Sequence, residues 1–125
     1  MALRDRKITV LKLFTTKTIT ASGNASSVAL DLQQYAMSGF FSIQYLITGD
    51  GTGKIEYNLS NDGATYLEPS SASDIGSSLT KTTGPGSDGK DILPFSPELA
   101  RYMKIKVTET GGANSIVVTL WLAIQ

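Results

Sequence analysis

The chain has 125 residues, 11 basic and 11 acidic side chains, and neither cysteine nor histidine. That length fits one domain with one core, and the missing residue types exclude disulfides, thiolate or imidazole metal sites, and Ser-His-Asp or Cys-His catalysis. Zero formal charge gives no surface suited to neutralising phosphates, so nucleic acid is not an expected partner.

The chain begins MALRDRKITVLKLF. Its apolar part, Ile8–Phe14, is short and broken by Thr9 and Lys12, so it reads as neither a signal peptide nor a membrane span. The expectation is a protein made in the cytoplasm without an export route of its own. Residues 1–14 read as an arm or first strand that packs on a neighbour or pairs at a sheet edge, and 15–125 as the main domain.

Beyond the Gly23-Asn24 turn, strand-like alternation dominates. SVALDL puts Val28, Leu30 and Leu32 on one face. FFSIQYLI puts Phe41, Ile43, Tyr45 and Ile47 opposite Phe40, Ser42, Gln44 and Leu46. KIEYNLS puts Ile55, Tyr57 and Leu59 opposite Lys54, Glu56 and Asn58. Between the last two lies GDGTGK, which spacing predicts to be a hairpin joining 40–48 to 54–60. It is not a phosphate loop. The first glycine of that motif would fall on Thr48, Ile55 takes the Ser/Thr place, and a strand pattern rather than a helix follows.

The Asp62-Gly63 turn leads to a segment from Pro69 to Asp91 rich in Ser, Thr, Gly and Asp, with only Ile75 and Leu79 as anchors. A loop this long is expected to be mobile or to meet a partner. SPELARY offers a short helical turn, with Ser96 as cap and Pro97 at its first position. YMKIKVT puts Met103, Ile105 and Val107 on one face, and Gly111-Gly112 turns the chain. In SIVVTLWLAIQ, Ile116, Val118, Leu120, Leu122 and Ile124 fill one face while Val117, Trp121 and Ala123 point the other way. A strand apolar on both sides is central or buried against another subunit. Seven or eight short strands without a sustained helical stripe predict an all-β fold, an antiparallel two-sheet sandwich with the jelly roll as first choice.

No catalytic, cofactor or metal site is expected. Asp50, Asp62, Asp88 and Asp91 lack calcium-loop spacing and read as turn formers. Glu56, Glu68, Glu98 and Glu109 read as solvated charges rather than a glycosidase pair. The tyrosines at 35, 45, 57, 66 and 102, with Trp121, read as core or interface rather than a sugar platform. Lys104 and Lys106 read as an exposed sheet face guarded against aggregation.

The stretches YNLSNDGATYLEP and FSPELARYMKIKVTETGGANSIVVTLWLAIQ resemble small β-sandwich structural proteins of tailed bacteriophages and prophages, those that decorate or cement a capsid or belong to the tail. The likeness covers about the second half of the chain and the region 39–66, and carries no ligand motif. It implies a non-enzymatic virion protein, above all a capsid decoration protein, made in the host bacterial cytoplasm. Its partners would be copies of itself, trimer before dimer, and the major capsid or a tail protein, with no nucleic acid and no membrane. On that reading Ile8, Val10, Leu11, Leu13, Phe14, Val117 and Trp121 are the candidate oligomer interface. Ile75, Leu79, Lys81, Asp88 and Lys90 are the candidate partner-contact loop. ARYMKIKV also resembles the late strand of discoidin-like, galactose-binding jelly rolls, which implies a carbohydrate-binding module used in attachment as the alternative.

Overall fold

A computed structural model describes residues 7–35 and 38–125. Two antiparallel sheets pack face to face as a β-sandwich. The strands are β1 (Thr9–Ile19), β2 (Asn24–Ser26), β3 (Leu30–Asp31), β4 (Phe41–Gly49), β5 (Gly53–Ser60), β6 (Gly76–Leu79), β7 (Lys90–Phe95), β8 (Tyr102–Glu109) and β9 (Ile116–Ile124). One sheet has the order β1-β9-β4-β7. The other runs β2-β8-β5-β6, with β3 also pairing β8. The pairing nests: β1 with β9, β2 and β3 with β8, β4 with β7, β5 with β6.

The alternation read from the sequence builds the core. Ile43, Tyr45, Ile47, Leu120, Leu122 and Ile124 of the first sheet face Ile55, Tyr57, Met103, Ile105 and Val107 of the second, all buried. Each such side chain removed from water contributes about 1.5–3 kcal/mol. Phe41 and Phe95, paired neighbours in the first sheet, have tilted rings with centroids 5.4 Å apart, and Phe95 stacks across the gap on Tyr57 at 5.6 Å. This places β7 over β5.

Four expectations are corrected. GDGTGK does not close a hairpin: β4 and β5 belong to different sheets, and the loop is a corner between them. Alternation reveals a strand, not its partner. The corner is tight enough that a Cβ on Gly51 would lie 2.6 Å from the Asn114 carbonyl oxygen. The boundary at residue 14 falls inside β1, an unbroken edge strand whose register shifts between Lys12 and Phe14 and between Phe14 and Lys17. Thr16, at positive φ in the second shift, donates its amide to Thr119 Oγ1 at 3.0 Å. SPELARY is not helical, and the helical turn instead follows β3 at Leu32–Gln34, capped by Asp31 accepting the Gln33 amide. Val28, expected beside Leu30 and Leu32, is 74% exposed, because the strand begins only at Leu30.

The segment 69–91 is likewise not one structureless loop. It contains β6, and the Ile75 amide binds the Ile55 carbonyl at 2.9 Å. Further on, Gly89 donates to Thr83 and accepts from the Ile47 amide, each at 2.9 Å, which sews the turn to β4.

Candidate functional site

Registers across β1, β9, β4 and β7 define the outer face of the four-stranded sheet. Lys12, Trp121, Gln44 and Ile92 form one row across it, and Val10, Ala123, Ser42 and Pro94 the next. Leu46 and Val117 lie on the same side. Val10 and Ile92 are 58% and 60% exposed, Trp121 and Val117 are half-buried, and Lys12 Nζ lies 5.4 Å from the Trp121 ring centroid. At one end of this face, exposed Ile8 and Phe40 border a hollow with Ala123 and Gln125. An open apolar sheet face marks an interaction surface.

Of the seven candidate interface residues, Ile8, Val10, Val117 and Trp121 therefore lie together on open surface. Leu11 and Leu13 are half-buried against the chain's own core, and Phe14 is within it. Phe14 is thus unavailable to a partner, because the bulge after Lys12 turns it inward. Leu46, Ile92 and Phe40 also belong to the surface. Alternation placed Leu46 and Phe40 off the core face, but only strand order shows that they join Trp121.

The five loop candidates do not form one surface. Leu79 is buried and Ile75 half-buried, both packed on the core. Lys81 pairs with Asp50 at the corner between the sheets. Asp88 is exposed in a turn, and Lys90 opens β7 opposite Leu46.

The acidic residues divide by environment. Glu109 ends β8 in step with Met103, Ile105 and Val107, and is 1% exposed. Its carboxylate accepts the amides of Thr52 (2.9 Å), Ser22 (2.9 Å), Gly112 (2.8 Å) and Gly111 (2.8 Å), joining three corners of one end of the sandwich. These donors, Thr52 first, hold its pKa down to about 2 against the opposing effect of burial. Glu56 is also buried, where exposure was expected, between Lys54 at 3.7 Å and Lys106 at 3.9 Å. Glu56, Glu68 and Asp74 bring carboxylate oxygens within 4.8 Å of one another, the one such group among the described residues. Of the three, Glu56 is the one that the two lysine ammonium groups pair with. Asp62 caps its turn, accepting the Thr65 and Ala64 amides at 2.9 Å, which with Ser60 lower its pKa to about 2.

At the other end of the sandwich, a hollow of about 550 Å³ is lined by Leu59, Asp62, Leu67, Pro69, Glu98 and Leu99, among others. Leu99 is 99% exposed and stands between this hollow and a second of about 460 Å³. Glu98 accepts the Tyr57 hydroxyl at 2.8 Å and the Ser71 hydroxyl at 3.1 Å. The Tyr57 contact first lowers the Glu98 pKa, while burial above all, then Glu98, pushes that of Tyr57 up to about 12. The aromatic rings share no open platform: Tyr45 and Tyr57 are core, Lys104 lies 4.3 Å from the Tyr66 ring and Arg101 4.9 Å from that of Tyr102.

No protein-family model matches the chain, and no curated protein matches it in sequence. No helix among the described residues is long and apolar enough to cross a membrane.

Proposed function

We propose that this chain is a non-enzymatic structural protein of a tailed-phage virion, first of all a capsid decoration protein, which associates with copies of itself through the outer face of its four-stranded sheet. The observation that carries the reading is the juxtaposition of Trp121, Val10, Val117, Leu46 and Ile92 on one open face. A rigid sandwich with such a face adds buried apolar area wherever copies meet, which is the physical task of a cementing protein. The nested pairing, with β2 and β3 counted as one strand, supports reading the sandwich as an eight-stranded jelly roll, a fold that viral capsid proteins share with lectins and cupins. The trimer, the capsid or tail partner and the virion location follow from the sequence resemblance.

Light scattering at micromolar concentration tests self-association. A trimer or dimer is the expected mass, and a monomer overturns the reading. Co-sedimentation with capsids lacking the protein tests the location.

A further inference from the structure

The outer face of the four-stranded sheet carries two cations and no acid. Lys12 stands in the Trp121 row at the β1 edge, and Lys90 stands two residues before Ile92 at the β7 edge, so both belong to the outer side. Both are exposed, and neither makes an ion pair among the described residues. β1, β4 and β9 contain no Asp or Glu, and Asp91 of β7 lies opposite Tyr45, on the core side. The Leu99 end has the opposite character. Leu67 and Leu99 are exposed there beside Asp62 and Glu98, two carboxylates that likewise make no ion pair among the described residues. Donors led by the Thr65 amide at Asp62 and the Tyr57 hydroxyl at Glu98 keep both charged at neutral pH. One surface is thus apolar with cations, the other apolar with anions.

The two surfaces adjoin. Register puts Thr9, Ile124, Phe41 and Phe95 at one end of the first sheet. Phe95 stacks on Tyr57, two residues before Leu59 of the hollow. The hollow therefore opens at the end where Ile8 and Phe40 border the sheet face.

We infer that copies of this chain meet head to tail, the outer sheet face of one covering the Leu99 end of the next. A two-fold pair of sheet faces buries the same apolar side chains but sets lysine-bearing edges against each other, whichever way the axis lies in the face. The head-to-tail contact instead sets the cationic face against Asp62 and Glu98, and covers Leu67 and Leu99, which the single chain leaves open. Two unlike patches that share a border suit a ring around an axis, because each copy gives one patch to each neighbour.

The inference rests on the reading that copies associate through the sheet face, and its test separates the two. Full-length Ile92→Asp breaks the face, and Leu67→Ser/Leu99→Ser breaks the end. All three side chains are exposed, so both variants should fold, with Tm within a few degrees of native. Analytical ultracentrifugation should find each variant dissociated at a concentration where the native chain is assembled. Mixed in equal amounts, the two should associate at least tenfold more tightly than either alone, because the intact end of the first fits the intact face of the second. The complex should stop at two chains. A mixture no tighter than its separate components overturns the inference and leaves the sheet-face reading standing. So does native assembly retained by Leu67→Ser/Leu99→Ser, or a native mass that saturates at two chains. A native monomer overturns both readings. Glu98→Gln keeps an acceptor for Tyr57 while removing the charge, and should weaken native assembly severalfold at low salt but not in 1 M NaCl. Equal affinity at low salt overturns the role given to the carboxylate.

Discussion

Glu109, the last residue of β8, accepts the backbone amide of Thr52 at 2.9 Å, across the corner where the chain leaves one sheet for the other. With the Ser22, Gly111 and Gly112 amides it answers donors that the sharp corners would otherwise bury unpaired. The sign of the pH effect follows. The folded carboxylate titrates at about 2 and the unfolded one near 4.5, so between those values the unfolded chain binds more protons. Its stabilisation is complete above about pH 4.5 and is lost as pH falls towards 2. Glu109→Gln should lower Tm at pH 7 by about 5 °C or more and flatten the fall in Tm from pH 5 to 2. Thermal melts across that range check both. A parallel acid slope in the variant would assign the sensitivity to other groups, Asp62 first.

Trp121 is half-buried in the single chain, so Trp121→Ala should cost that chain well under the 3–5 kcal/mol of a fully buried ring. Association should suffer more, with a dissociation constant raised at least tenfold. Ile92→Asp, in the same row but at an open edge strand, should separate the copies without lowering Tm of the separated chain by more than a few degrees. Concentration-dependent light scattering beside thermal melts distinguishes the two effects. Unchanged mass for both variants would show that the copies meet elsewhere.

Ile105 and Val28 test the core as it stands. Both are β-branched residues in apolar-alternating stretches, yet Ile105 is fully buried and Val28 is 74% exposed. Ile105→Ala should cost about 2–5 kcal/mol, and Val28→Ala should stay within about 0.5 kcal/mol. Denaturant unfolding measures both.

The contrast shows what alternation reveals and what it leaves out. Period two named every buried apolar side chain of β4, β5, β8 and β9, because a half-buried strand must place alternate residues inward. Glu109 stands two residues after Val107 and shares its inner face, but its place before a turn reads as that of a solvated charge. Period two could not show that GDGTGK crosses between sheets, since both hairpin and corner join two alternating runs through glycine. Nor could it gather the hollow beside Leu99. Asp62 and Glu98 are 36 positions apart in sequence, and only the pairing of β5 with β8 brings their loops to one end. The burial of Glu56 follows from ion pairs and from the segment carrying Glu68 and Asp74, which alternation does not encode.

The turn between β6 and β7 is where sequence and structure differ most. Its composition, with three glycines and a proline in residues 84–89, predicts mobility and nicking between Thr80 and Asp91. The structure instead ties it down by the Thr83–Gly89 and Gly89–Ile47 backbone bonds, by Thr83 Oγ1 donating to the Thr80 carbonyl at 2.8 Å, and by the Lys81–Asp50 ion pair. Gly89 makes this possible. Its φ is +76°, and a Cβ there would lie 2.4 Å from the Ile47 carbonyl oxygen, on backbone that cannot move without disturbing β4. Gly89→Ala should therefore cost at least the roughly 1–3 kcal/mol of a strained left-handed residue, and should release the turn. Limited proteolysis compares the two chains directly. The native protein should resist cleavage at Lys81, whereas Gly89→Ala should be cut there at least tenfold faster under native conditions. Rapid cleavage of the native chain at Lys81 would restore the mobile loop that composition predicts. Equal resistance in both chains would show that the turn is held by its other bonds and not through Gly89.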